Sequence, residues 1–116
     1  MKKKIFCFDL DNVICNTKKN YYKSSKPNSK AIKLINDLYN EGHYIKIFTA
    51  RYMGRSNDNI IKASRLGLKL TKKQLKIWKI QYHKLIMGKP SYDLFVDDKA
   101  YGYNSMWIKD LRRKYL

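Results

Sequence analysis

The order of short apolar runs and amphipathic segments constrains the fold more than any other feature of this sequence. Four runs, at residues 4–8, 44–48, 82–87 and 92–96, have the β-branched and aromatic content of buried strands. Segments with helical periodicity separate the first three. Strands that alternate with helices predict βαβ units and a mostly parallel sheet. We therefore expect a single α/β domain over residues 1–116.

Capping signals predict where the first and last helices begin and end. Asn28 or Ser29 is suited to cap a helix that ends before Gly42, because glycine is favoured just beyond a helix C-terminus. Ser105 is suited to cap a closing basic helix.

Two further helices are predicted between the second and third strands. Ser56 or Asn57 is suited to open a helix that ends at Gly67. Thr71 with Gln74 three residues later has the pattern of a capping box, which predicts a third short helix.

The formal net charge of +17 over 116 residues calls for a partner with negative charge. Lys72, Lys73, Lys76 and Lys79 share the exposed side of one predicted helix, which is usually a solvated face. No recognised nucleic-acid reader motif accompanies the charge. We therefore expect attraction toward a phosphorylated substrate, with nucleic acid as an alternative partner.

Cysteine usage and hydropathy indicate the compartment. Cys7 and Cys15 form no CxxC pair, so reduced thiols are expected, as in cytoplasmic proteins. No stretch approaches the ~20 apolar residues of a membrane span. These features predict a cytoplasmic protein without a membrane span.

Four of the nine acidic residues directly follow two of the predicted strands, in the sequences FDLD and FVDD. These residues are Asp9, Asp11, Asp97 and Asp98. In parallel sheets, ligands bind at the carboxyl ends of the strands, so neighbouring strands would bring these carboxylates together. Like charges so close need a counter-ion, and Mg²⁺ prefers such oxygen ligands. No cluster of His and Cys offers the ligands that zinc prefers.

The ends of the other two strands carry groups that suit a phosphoryl ligand. Thr49 and Ala50 follow the second strand and offer a hydroxyl and a backbone amide, and Lys89 follows the third with a positive charge. Arg51 is either a further substrate contact or a partner in a local salt bridge.

Taken in order, these motifs resemble the haloacid dehalogenase superfamily over nearly the whole chain. FDLDNV resembles motif I, Thr49 is similar to the motif II residue, Lys89 to the motif III lysine, and residues 96–98 to the acidic motif IV. The resemblance implies a three-layer, Rossmann-like fold with a mostly parallel central sheet, and it implies phosphatase activity.

The resemblance also implies roles for the site residues. Asp9 would be the nucleophile that forms an aspartyl-phosphate, and Asp11 the general acid and base. Mg²⁺ would be held by Asp9, the Asp11 backbone carbonyl and Asp97, with Asp98 as a further ligand or an outer partner. The phosphoryl group would be held by Thr49, Ala50 and Lys89.

The sequence leaves little chain for the bulky cap domain that many members of this superfamily carry. Residues 12–27 are long enough only for a loop or hairpin flap. Capless members tend to act on larger substrates, or a second copy or a partner protein closes their site. The fuller sequence resembles small phosphatases of capsule and surface-polysaccharide synthesis, which implies a phosphorylated sugar or activated intermediate as substrate.

Two other functions remain open from the sequence. A nucleotide or nucleic-acid-end phosphatase would suit the positive charge. A non-catalytic basic binding module could keep the same fold, although retention of four repelling carboxylates argues against it.

Overall fold

The chain, described by a computed structural model over residues 2–116, alternates strands and helices as its hydrophobic pattern predicts. In chain order the elements are β1 (Ile5–Phe8), β2 (Cys15–Asn16), β3 (Lys26–Pro27), α1 (Ser29–Asn40), β4 (Tyr44–Thr49), α2 (Ile60–Ile77), β5 (Lys84–Met87) and α3 (Trp107–Tyr115). One-turn 3₁₀ helices lie at Tyr22–Ser24 and Gly54–Ser56.

Strands β1, β4 and β5 form one parallel sheet in the order β1-β4-β5. Phe8 lies opposite Ile47, and Thr49 lies opposite Met87, so all three strands end at the same edge. This arrangement confirms the α/β class and the parallel sheet. It also fixes where residues that follow the strands must lie.

The core lies between one face of the sheet and the helices. Phe8 and Ile47 are buried there with α1 residues such as Leu34 and with Trp107 of α3. The alternate residues of β1 are exposed, and Ile5 reaches 68%. The helical layer on the opposite face that a three-layer fold requires is not seen at β1, and the Rossmann-like assignment stays a prediction.

The capping predictions for α1 are confirmed, and the one for α3 is wrong. The Asn28 side chain accepts a hydrogen bond from the Ala31 N–H, and Gly42 follows the helix with a φ of +94°. Helix α3 begins only at Trp107 and has no side-chain cap from Ser105.

The two helices predicted between β4 and β5 are a single helix, α2. Asn59 caps it by accepting from the Lys62 N–H at 3.0 Å. Gly67 does not end the helix but makes room for an aromatic ring, since a Cβ there would lie 2.3 Å from Cδ2 of Tyr52. Thr71 is a buried residue inside the helix rather than a cap.

The predicted fourth strand, at residues 92–96, is wrong. Leu94 and Val96 are 80% and 85% exposed and belong to no strand. Tyr92 and Phe95 stack on each other at 5.1 Å and lie over the Lys89 ammonium group. The segment therefore contributes an aromatic cluster beside Lys89 and not a strand of the sheet.

Residues 12–27 contain the predicted flap. Strands β2 and β3 pair in antiparallel fashion, with Cys15 opposite Pro27, and a 3₁₀ turn lies between them. Within residues 2–116, no helix has both the length and the apolar character to cross a membrane.

Candidate active site

The carboxyl edge of the sheet brings three of the predicted site residues together. Asp9 directly follows β1, Thr49 ends β4, and Lys89 comes two residues after β5. The Lys89 N–H donates to the Thr49 carbonyl at 3.1 Å, which continues the pairing of the two strands to the edge. The parallel register therefore places a carboxylate, a hydroxyl and an ammonium group at one edge.

Asp9 and Lys89 form the charged pair of this edge. The Lys89 Nζ lies 3.6 Å from the Asp9 Oδ2, and the Asp9 Oδ1 accepts from the Leu10 N–H at 2.8 Å. The Asp9 side chain is 37% exposed, so an incoming ligand has access to it. Burial raises the pKa of Asp9, and the neighbouring Lys89 charge opposes that rise.

Lys89 keeps its positive charge despite its burial. Burial by itself lowers the pKa of the ammonium group, but the Tyr92 hydroxyl and the Asp9 carboxylate more than compensate. The pKa of Lys89 therefore lies above its ordinary value, and the residue is a fixed cation beside Asp9.

Arg51 forms a bidentate salt bridge with the Asp11 carboxylate. The Arg51 side chain is fully buried, and Asp11 is 20% exposed. The Arg51 Nη2 lies 3.0 Å from Asp11 Oδ1, and Nε lies 3.0 Å from Oδ2. Thr17 donates a further hydrogen bond to Oδ1 at 2.6 Å. This geometry fixes the orientation of the carboxylate, because the planar guanidinium matches two carboxylate oxygens at once.

The remaining donors of Arg51 bind helix α2 and the flap. Nη1 donates to the Thr71 hydroxyl at 3.3 Å and to the Gln74 side-chain carbonyl, and Nη2 donates to the Ser25 hydroxyl at 3.3 Å. We call this group of five residues the Arg51 cluster: Asp11, Ser25, Arg51, Thr71 and Gln74. The salt bridge of Arg51 is made to Asp11 and not within its own loop, and a role as a further substrate contact stays a prediction.

Thr71 and Gln74 are buried partners of Arg51 that the sequence did not reveal. Their spacing matched a capping box, which suggested the start of a helix. The signal that could have revealed them is their place in the apolar pattern. They share the buried face of α2 with Ala63 and Leu75, and buried polar groups need partners.

Thr49 and Ala50 shape the loop that leads to Arg51. Thr49 is fully buried, and its Oγ1 accepts from the Arg51 N–H at 3.1 Å. A hydroxyl group can donate one hydrogen bond while it accepts another, so the Thr49 hydroxyl can still donate to a ligand. The role of Thr49 and Ala50 in holding phosphoryl oxygens stays a prediction.

Asp97 and Asp98 lie in the exposed segment and do not join the Asp9 carboxylate in a cluster. The Asp97 Oδ1 accepts from the Lys99 N–H at 2.9 Å, which closes a local turn. Burial is the main cause that raises the pKa of the Cys7 thiol, and the charge of Asp97 adds to that rise. In the part of the chain that the structure describes, no three His, Cys, Asp or Glu residues are grouped to hold a metal.

The donors at the edge fit a magnesium ion only in part. Mg²⁺ is commonly bound by one or two carboxylates together with substrate phosphate and water. The accessible Asp9 carboxylate is such a ligand. The further carboxylates of Asp97 and Asp98 are not assembled around it.

Comparison with known proteins supports the fold and gives no family. No protein-family model and no curated protein matches the chain. The chain is similar to the crystal structure of a structural-genomics target from Vibrio cholerae, with a TM-score of 0.78, 24% identity, and coverage of 97% of this chain and 98% of that one. It is also similar to the structure of the Pnkp1/Rnl/Hen1 RNA repair complex, with a TM-score of 0.50, 15% identity, and coverage of 97% of this chain and 31% of that one. At these identities the likeness concerns the fold alone.

Proposed function

We propose that this chain is a phosphate-monoester hydrolase of the haloacid dehalogenase type that acts through Asp9. The observation that carries the proposal is the Asp9–Lys89 pair at the carboxyl edge of the parallel sheet. An accessible carboxylate beside a fixed cation suits attack on a phosphate group, since the cation neutralises both the phosphate and the nucleophile.

In the proposed first step, an Asp9 carboxylate oxygen attacks phosphorus. A bond forms between that oxygen and phosphorus while the bond from phosphorus to the substrate oxygen breaks. Asp11 gives a proton to the leaving oxygen. In the second step, water attacks the phosphorus of the aspartyl-phosphate, its proton passes to Asp11, and inorganic phosphate leaves with the Asp9 carboxylate restored.

The hydrogen bonds around Asp11 indicate which oxygen would carry that proton. Oδ1 accepts from Thr17 and from two Arg51 nitrogens, whereas Oδ2 accepts only from the Arg51 Nε. Oδ2 therefore has spare capacity for a proton, and Oδ1 is the oxygen that orients the group.

Mg²⁺ is proposed as the cofactor, and it would neutralise charge on the phosphoryl oxygens. The Asp9 carboxylate and the Asp11 backbone carbonyl would hold it, with Asp97 and Asp98 as further candidates.

The first proposed substrate class is a phosphorylated sugar or activated intermediate of surface-polysaccharide synthesis. The second is a phosphorylated nucleic-acid end, which the net charge of +17 suits. A surface pocket of ≈ 580 Å³ in the flap is available to a substrate, and its lining includes Asn12, which follows Asp11, and the flap residues Lys18 and Lys26. A second copy or a partner protein that closes the open site is also proposed.

Phosphate release tests the proposal. We expect turnover of at least one member of a panel of sugar phosphates, nucleotides and p-nitrophenyl phosphate, with loss in EDTA and in Asp9→Asn. The matched control is Glu41→Gln, which removes an exposed carboxylate that lies between α1 and the amino end of β4. Folded protein that binds Mg²⁺ and releases phosphate from nothing in the panel would contradict the proposed substrate class. Folded protein that also fails to bind Mg²⁺ would favour the non-catalytic binding module.

A further inference from the structure

Helix α2 carries six basic residues on its exposed face, which we call the α2 stripe: Lys62, Arg65, Lys69, Lys72, Lys73 and Lys76. At 3.6 residues per turn, the six positions fall within an arc of about 100° and a length of about 21 Å. The stripe exists because α2 is a single helix. Two helices broken at Gly67 would not align Lys62 and Arg65 with the four cations that follow.

No negative charge compensates the α2 stripe. Helix α2 contains no Asp or Glu, and within residues 2–116 none of the six side chains forms a salt bridge or a hydrogen bond. A merely solvated helix face usually mixes both signs, because like charges three and four residues apart repel each other. The uniform sign therefore indicates a surface that meets an anion.

The orientation of the α2 stripe is fixed by the core. Ala63, Gly67, Thr71 and Gln74 are buried on the opposite side of the helix, and the last two bind the buried Arg51. The helix cannot turn about its axis without breaking these contacts. The six cations are therefore held outward as a preformed line.

The α2 stripe begins beside the carboxyl edge of the sheet. The Ile60 side chain, in the first turn of α2, packs so closely on Gly88 that a Cβ there would lie 2.9 Å from Ile60 Cγ1. Gly88 directly precedes Lys89, the partner of Asp9. The stripe thus runs from this edge along the whole helix.

We propose that the α2 stripe binds the sugar-phosphate backbone of a single-stranded nucleic acid whose phosphorylated end lies at Asp9. Lys and Arg contacts to phosphates are independent of base sequence, which agrees with the lack of a reader motif. A narrow line of charge suits a linear polyanion. A membrane surface would instead take up a continuous apolar helix face, whereas the exposed apolar residues of α2, such as Ile61 and Leu66, lie apart on either side of the stripe. The position of the phosphorylated end rests on the phosphatase proposed above.

Binding is best measured apart from catalysis, with Asp9→Asn protein in EDTA and a fluorescein-labelled single-stranded DNA followed by anisotropy. The test variant is Lys62→Gln/Lys69→Gln/Lys76→Gln. The matched control is Lys30→Gln/Lys84→Gln/Lys109→Gln, which removes the same charge from exposed positions outside α2. We expect the test variant to raise Kd about 10-fold or more. The slope of log Kd against log salt concentration should fall by about 2, because each of the three lost phosphate contacts lowers that slope by roughly 0.7. The control should change Kd less than about 3-fold.

Equal weakening by the two triple variants would overturn the proposal, because net charge alone would then explain the binding. Tighter binding to heparin or to anionic phospholipid vesicles than to DNA would overturn it in favour of those polyanions. In the catalytically intact chain, the test variant should lower kcat/KM for an end-phosphorylated oligonucleotide about 10-fold and leave p-nitrophenyl phosphate hydrolysis unchanged. DNA binding through the α2 stripe without phosphate release from any substrate would contradict the proposed phosphatase activity. The same result would still support the α2 stripe as a nucleic-acid-binding surface.

Discussion

At the residue scale, Arg51 links the proposed general acid to the rest of the molecule. Its guanidinium binds Asp11 at the edge, Ser25 in the flap and two residues of α2. It also lies 5.0 Å from the centre of the Tyr22 ring, where the cation is favoured by the ring. One buried side chain therefore sets the position of the carboxylate that would move the proton.

We predict that Arg51→Lys lowers kcat about 10- to 100-fold with little change in KM. Lysine keeps the charge but cannot bind both Asp11 oxygens in a plane. Arg51→Met should lower the free energy of unfolding by about 3 kcal/mol, because it leaves a largely buried carboxylate without its partner. Steady-state kinetics and urea unfolding measure the two effects.

The matched control for Arg51 is Arg55→Lys. Arg55 is exposed and packs over Tyr52 at 4.6 Å without contact to Asp11. Equal losses of kcat in Arg51→Lys and Arg55→Lys would show that Arg51 does not position Asp11. Partial recovery of Arg51→Ala by added guanidinium, with none for Asp9→Asn, would support the positioning role.

At the element scale, α2 packs closely on Tyr52 at Gly67. Tyr52 fills the space that a side chain at this position would take. In most helices, Gly to Ala stabilises the fold by about 1 kcal/mol. At Gly67, the added methyl group would clash with Tyr52, so the same substitution should destabilise the fold.

We predict that Gly67→Ala lowers the free energy of unfolding by about 2 kcal/mol, the usual cost of overpacking. Urea denaturation checks the value. In a Tyr52→Ala background, where the ring is gone, the same substitution should be neutral or stabilising. Destabilisation of similar size in both backgrounds would contradict packing on Tyr52 as the reason for the glycine.

The contact between α1 and α3 gives a pH-dependent contribution to stability. The Arg112 Nη1 lies 2.9 Å from Asp37 Oδ2, and this hydrogen bond is the main reason why the pKa of Asp37 lies below its ordinary value of 3.8. A lowered pKa in the folded state stabilises the fold above 3.8, and the contribution is lost as the pH falls through the folded value.

We predict that Asp37→Asn lowers the free energy of unfolding by about 0.5 kcal/mol at neutral pH, since the pair is partly exposed. The difference from the unmodified chain should shrink as the pH falls below 3.8. Urea unfolding across that range measures it, with Asp93→Asn as the control for net charge. A difference that stays constant with pH would rule out the ion pair as its source.

At the scale of the whole molecule, the sequence predicted the elements with strong local signals. Asn28 and Gly42 lie at the two ends of α1 as expected, because caps act through neighbouring backbone groups. The edge pair of Asp9 and Lys89 followed from parallel topology. Gly67 was misread as a stop, since only the tertiary neighbour Tyr52 explains it.

The acidic segment marks the limit of prediction from sequence in this chain. Residues 92–96 have the composition of a strand, yet a strand needs a partner whose ladder it can join. Tyr92 and Phe95 instead gather over the Lys89 ammonium, and among the described residues Asp97 belongs to no group of three metal-ligand side chains. Similarly, no property of Arg51 alone revealed that its partners would be Asp11 and Gln74, which are distant in sequence.

The covalent intermediate tests the central claim, that Asp9 is the nucleophile. Turnover with the best substrate and Mg²⁺ can be quenched in acid and treated with borohydride, which reduces an acyl phosphate to an alcohol. Mass spectrometry of the peptide that carries Asp9 then shows whether this residue has been reduced. We predict homoserine at position 9 only when both substrate and Mg²⁺ are present. Phosphate release with an unmodified Asp9, or with the label on another carboxylate, would contradict the account.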